Sequence, residues 1–126
     1  LFFSHSTNPC YRVYTVDSHS LVIDDYDQYY LDLETANRDG GAHWEKEYNA
    51  KSEYDLPDLS ATSWHDFGMR MLKNATYYKK YIQHFSAGYE PGYAKFNLNE
   101  AACSVLTHLE DELEVCLRSI APAADM

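Results

Sequence analysis

The sequence predicts an α+β fold: a small antiparallel β-meander of about three strands, followed by a helical subdomain of about four helices. Three observations carry this. Alternating runs rich in Tyr, Val and Trp fall early in the chain, where strands suit such residues. Apolar stripes at helical spacing fill the remainder. Short polar or Gly- and Asp-containing links stand between the runs. The division falls at residue 50, with the strands in residues 1–50 and the helical subdomain in residues 51–126.

Residues 11–16 (YRVYTV) alternate and are expected to form the first strand. Asp17-Ser18-His19-Ser20 makes a tight turn. A second strand begins over 21–23, is interrupted or bent by the acidic Asp24-Asp25, and continues over 29–33. Residues 37–42, with Gly40-Gly41, read as loop. Residues 44–49 form the third strand, and a short polar link leads to Pro57. A sheet this small and this aromatic needs cover on a face and pairing at its edges.

A helix follows over 60–73. Ser60 is its N-cap, and Leu59 and Trp64 occupy the staple positions either side of the cap. Its stripe is Trp64, Phe67, Gly68, Met71 and Leu72. Asn74 caps a second helix over 75–85. Tyr77, Tyr78, Tyr81, Ile82 and Phe85 lie on one side, with Lys79, Lys80 and Gln83 on the other. Residues 86–96 hold Gly88, Pro91 and Gly92 and read as loop. Asn99 caps a third helix with Ala102, Val105, Leu106 and Leu109 inward. Asp111 caps a fourth with Leu113, Cys116, Leu117 and Ile120 inward, and with Glu112 and Glu114 near its positive end. Residues 121–126 are expected to fray.

The chain has 126 residues, 45% of them hydrophobic, which suffices for one modest domain with a core. Its formal net charge of −10 argues against nucleic acid, which calls for clustered Lys and Arg, and against docking on anionic lipid by charge alone. No apolar run approaches the ~20 residues of a transmembrane span. The leading residues 1–7 are too short for a signal peptide, and because the chain starts on Leu this says nothing about secretion. Twelve tyrosines suit strands and half-buried surfaces that meet a partner.

Three blocks carry a family resemblance. Asn8-Pro9-Cys10-Tyr11-Arg12-Val13-Tyr14 is similar to Asn-Pro-x-Tyr-Arg-Val-Tyr, and residues 30–37, ending at Asn37, to Tyr-x-Leu-Asn-Leu-Thr-x-Ala-Asn. The third block holds Trp44, Tyr48, Tyr54-Asp55-Leu56, Leu59, Trp64-His65-Asp66 and Arg70-Met71. In this order and spacing they resemble the C-terminal region of the acid sphingomyelinase and acid sphingomyelinase-like phosphodiesterase family of calcineurin-like metallophosphoesterases.

The resemblance implies a parent enzyme that hydrolyses phosphodiesters with two zinc ions and a metal-activated water. It also implies that this chain begins just past the active site. The family's Gly-Asp, Gly-Asn-His and Gly-His-x-His motifs do not occur here, and the one Asp-x-His triplet, Asp17-Ser18-His19, falls in the tight turn after the first strand. No catalytic and no metal-binding residue is therefore expected, and the chain alone should be inactive. His5, His19, His43, His65, His84 and His108 are scattered. Helical neighbours His65 and Asp66 point apart, so a surface or interface role suits His65 better than a dyad. Asp24, Asp25 and Asp27 lack the later Gly and Glu of a calcium loop and read as a solvated acidic bend.

Cys10, Cys103 and Cys116 have no metal-finger spacing. Cys10 is expected as a buried free thiol. Cys103 and Cys116 can pair only if the chain reverses between them, because thirteen residues of one helix rise about 20 Å. The break between the last two stripes supplies a place for that reversal, and the resemblance independently implies the bond; two reduced, buried cysteines are the alternative. An additional family cysteine pair is replaced by Tyr93 and Asn97. Asn74-Ala75-Thr76 is an N-glycosylation sequon, while the family's own sequon is lost at Asp32-Leu33-Glu34.

The expected role is thus structural: the C-terminal segment of a secreted or lysosomal sphingomyelin phosphodiesterase-like enzyme. Its strands extend the catalytic sandwich, its partner is the missing N-terminal metallophosphoesterase domain, and any lipid contact comes through the parent. The turn at 17–20 is shorter than in lysosomal sphingomyelinases, which puts sphingomyelin itself in doubt. The alternative is a free-standing secreted module that binds a partner through a Tyr-rich face.

Overall fold

Strand β1 (Cys10–Val16) pairs antiparallel with β2 (Ile23–Leu31), and β2 with β3 (Trp44–Asn49), giving the order β1-β2-β3 with β1 and β3 at the edges. The structure is a computed structural model and describes residues 7–91 and 97–120. The register sets Tyr11 opposite Tyr29, Arg12 opposite Gln28 and Tyr14 opposite Tyr26. Because side chains alternate, Tyr26, Gln28 and Tyr48 are buried. Tyr11, stacked on Tyr29 and edge-on to Trp44, lies on the other, open face. Every residue of β1 is exposed.

Six helices follow or interrupt the sheet among the described residues: α1 (Leu33–Asp39), α2 (Ala50–Tyr54), α3 (Ala61–Lys73), α4 (Ala75–Phe85), α5 (Leu98–Leu106) and α6 (Glu110–Ile120). The last four correspond to the expected helical subdomain. Ser60 caps α3 through its bond to the Ser63 amide, and Asn74 caps α4. Phe67 and Met71 are fully buried, with Tyr54, Ile82, Ala101 and Ala102 around them. Leu59 and Trp64, the two staple residues, both pack on this cluster.

Several expectations are corrected. The second strand runs unbroken through Asp24-Asp25, because elements that follow it satisfy those acids. Asp25 accepts the Lys51 amide and an Asn49 side-chain N–H, Asp24 pairs with Lys51, and Asp27 pairs with Lys46. They are not a free acidic bend. The strand stops at Leu31 because Asp32 caps α1, accepting from the Glu34 and Thr35 amides. What read as strand end and loop is therefore helix, closed by Gly40 at φ 73. The polar link before Pro57 contains α2, capped by Asn49 and ended by Asp55 at φ 52.

The cap of α5 is Asn97, in a reciprocal capping box with Glu100, rather than Asn99. This helix ends at Leu106, which leaves Leu109 60% exposed instead of inward. Asp111 lies inside α6, whose start is served by Glu112 reaching back to the His108 and Leu109 amides. Leu113, Cys116, Leu117 and Ile120 form the half-buried side of α6. Cys10 is exposed, because it sits at the start of an edge strand. Residues 121–126 and Tyr93 lie outside the described residues.

Candidate functional site

An open groove of about 880 Å³ runs between the covered face of the sheet and the helices. Arg12, Tyr14 and Tyr26 form one side, and Trp64, Tyr81 and Leu106 the other. Among the described residues its lining also includes His65 and His108 and holds no Asp or Glu, although the chain carries 20 acidic residues.

Beneath the groove lies a polar chain that starts at the family-like Arg12. Its guanidinium stands 4.5 Å over the Tyr26 ring, and its Nε donates to Gln28 Oε1 at 2.9 Å. The Tyr48 hydroxyl donates to the same oxygen at 3.3 Å. Gln28 Nε2 in turn donates to Glu47 at 2.8 Å and to the His84 carbonyl at 3.2 Å. Gln28 is 1% exposed, so all of these bonds are needed to offset its desolvation.

The chain ends at His84, stacked on Tyr48 at 4.1 Å. Its Nδ1 lies 2.8 Å from Glu47 and its Nε2 3.0 Å from Glu53, whose carboxylate also faces Lys80 at 3.7 Å. Both ring nitrogens face carboxylates, so both donate, and the imidazole is held doubly protonated. Burial alone would lower its pKa; the hydrogen bonds and charges of Glu47 and Glu53 outweigh that and raise it above the ordinary histidine value. This clasp joins β3, α2 and α4. Burial likewise pushes the phenols of Tyr26 and Tyr54 upward, so both stay neutral donors.

The family-like residues are placed as a framework. Buried Asn8 donates to the Ala87 carbonyl and accepts from the Leu33 amide, and the Pro9 carbonyl accepts from Leu31. Arg70 donates to the carbonyls of Tyr54 and Asp55, fixing the left-handed turn after α2, and Tyr77 bonds the Asp55 carboxylate. Tyr48 is buried; Trp64 is half-buried; Asn37, Trp44 and His65 are exposed. His65 comes 3.8 Å from Asp66, beyond hydrogen-bond reach, with both side chains open to solvent. Cys103 and Cys116 are joined in a disulfide with Cα atoms 5.8 Å apart, across the reversal between α5 and α6.

No sequence pattern gathers Gln28, Glu47, Glu53 and His84 into a group. One signal was present: Tyr77, Tyr81 and His84 fall at i, i+4 and i+7, which puts a histidine on an apolar stripe. Its two carboxylates come from 37 and 31 residues away, which no local pattern reports.

The chain's residues 1–107 match the family model described as the acid sphingomyelin phosphodiesterase C-terminal region. Human sphingomyelin phosphodiesterase is 34% identical over 89 residues, covering 67% of this chain and 14% of that protein. Sphingomyelin phosphodiesterase 1 of Caenorhabditis elegans is 33% identical over 85 residues, covering 67% of the chain and 15% of the relative. Human acid sphingomyelinase-like phosphodiesterase 3b is 31% identical over 100 residues, covering 79% and 21%. The chain thus spans between about a seventh and a fifth of the length of these curated relatives.

Proposed function

Since the chain belongs to the acid sphingomyelin phosphodiesterase C-terminal family, we propose that it is the supporting region of a secreted or lysosomal phosphodiesterase. In this reading it docks against the hydrolase domain and walls part of the substrate cleft without supplying catalytic groups. Residues 1–50 continue the catalytic sandwich, and residues 51–126 brace them. The substrate is a phosphodiester; the names of the relatives include both sphingomyelin and cyclic GMP-AMP.

The observation that carries this is β1. All seven of its residues are exposed, with Tyr11, Val13, Tyr14 and Val16 between 45% and 52% exposed, and it is a sheet edge. An edge this long and this apolar is a template for another strand. The many-fold greater length of the relatives supports a domain of the same polypeptide as that partner.

The zinc pair used by a metallophosphoesterase does not fit the residues here. Both nitrogens of buried His84 are turned to carboxylates, and no three His, Cys, Asp or Glu side chains among the described residues are grouped to hold a metal. Purified alone, the chain should neither hydrolyse a chromogenic phosphodiester nor bind zinc stoichiometrically.

Hydrogen–deuterium exchange tests the docking. The β1 amides that are not bonded to β2 should exchange rapidly in the 126-residue chain and be protected in the full-length protein. Equal exchange in the two would overturn the proposal.

A further inference from the structure

We propose that Asn74 is an N-glycan acceptor, placed so that the modification leaves its helix cap intact. The inference rests on the secretory reading above. Asn74-Ala75-Thr76 stands where α3 ends and α4 begins, and all three residues are exposed. The backbone at Asn74 is extended, with φ −142 and ψ 107. Its amide closes α3 by donating to the Arg70 carbonyl at 3.0 Å. Its side-chain Oδ1 opens α4 by accepting the Thr76 amide at 2.9 Å.

The division of labour within this one side chain is what matters. The cap uses only the carbonyl oxygen. Among the described residues neither Nδ2 nor the Thr76 hydroxyl has a hydrogen-bond partner. Transfer forms a bond from Nδ2 to the anomeric carbon of an oligosaccharide carried on a lipid diphosphate. The bond from that carbon to the diphosphate breaks, the lipid diphosphate leaves with the electron pair, and Nδ2 gives up one proton to the transferase. The product is still an amide, and Oδ1 still accepts from Thr76. None of the three residues lines the groove, so a glycan here leaves the groove clear.

The test is translation of the 126-residue chain behind a cleavable signal sequence, in the presence of microsomal membranes. One glycan should be added, removable by peptide N-glycosidase. Asn74→Asp keeps a capping oxygen but has no amide nitrogen, so it should fold normally and stay unmodified. Thr76→Ala should also stay unmodified, and Thr76→Ser should be modified. A translocated chain of unmodified mass, or a glycan that persists in Asn74→Asp, overturns the proposal. Because the attached signal supplies translocation, a negative result speaks against Asn74 and not against secretion. The secretory reading is judged separately, by fractionating cells that make the full-length product.

Discussion

The side chain of Asn8 donates to the carbonyl of Ala87 at 3.0 Å, closing the N-terminal segment onto the turn that ends α4. The same side chain accepts the Leu33 amide, and the Asn8 amide bonds the Ser86 carbonyl. Asn8→Ala keeps the backbone bond and strands the buried Ala87 carbonyl and the part-buried Leu33 amide. It should cost roughly 1–3 kcal/mol for each group left unsatisfied. A urea midpoint that falls with an unchanged slope would report this. A midpoint equal to that of the unaltered chain would show that the clasp contributes nothing.

His84 gives the fold a pH dependence with a definite sign. Its pKa is raised in the folded state, so the protonated form is the one folding favours. The stability it contributes is complete below the ordinary histidine value of about 6.5 and is lost as pH rises through the folded pKa. Glu47, Glu53 and Lys80 are the charged groups around it. Asp58 acts in a different range. Hydrogen bonds from Ser60 and Ser63 hold it at about 2, so its contribution is lost only on strong acidification. Thermal melts from mildly acidic to mildly alkaline pH should therefore show a falling Tm. His84→Gln should flatten that slope, and His84→Ala should cost about 3–5 kcal/mol by leaving Glu47 buried without its cation. A slope unchanged in the Gln variant would assign the effect elsewhere.

Gly68 is where α3 meets α5 most closely. A Cβ built there would lie 2.8 Å from Leu106 Cδ2 and 2.9 Å from its Cγ. Helix propensity alone makes Gly68→Ala favourable by about 1 kcal/mol, whereas overpacking costs about 1–3 kcal/mol. The contact should win, giving net destabilisation. Adding Leu106→Ala should make the Ala at 68 favourable. A stabilised single variant would mean that α5 gives way easily.

The disulfide holds α6, which buries none of its residues and packs mainly on α5. Replacing both cysteines with Ser should lower stability by on the order of 3 kcal/mol if the chain-entropy account of a loop of this size holds. Amide exchange should then rise across residues 110–120 and much less across α3. Uniform loosening of the whole chain would instead make Cys103, fully buried, a core residue first and a tether second.

How far the sequence could be read depended on the range of the forces involved. The strands, Ser60 and Asn74 as caps, and the Phe67–Met71 stripe were readable because their signals are local. The helix at 33–39 is hidden in the sequence because Tyr29 to Leu33 continues a strand-like run. The deciding event, Asp32 bonding the Glu34 and Thr35 amides, looks like an ordinary acidic residue in sequence. The apolar stripe that points Leu109 inward extends past its helix, which ends earlier at Thr107, whose amide and hydroxyl both bond the Cys103 carbonyl. The Glu47–His84–Glu53 clasp was out of reach because three elements distant in sequence assemble it. Asn8 stood out only through the family-like block, and its partner Ala87 carries no sequence signal at all.

The clasp at Asn8 also has a schedule. Its partner carbonyl is made 79 residues later, roughly 4–16 s at a synthesis rate of ~5–20 residues per second. The meander and α3 can form on the ribosome within that interval, with Asn8 and Pro9 held only to Leu33 and Leu31. If, as proposed, a domain is synthesised ahead of this chain, it has seconds in which to find the β1 edge before the bonds to residues 86 and 87 close. Ribosomes stalled before residue 86 would hold the clasp half closed, and those stalled well after it would hold it complete.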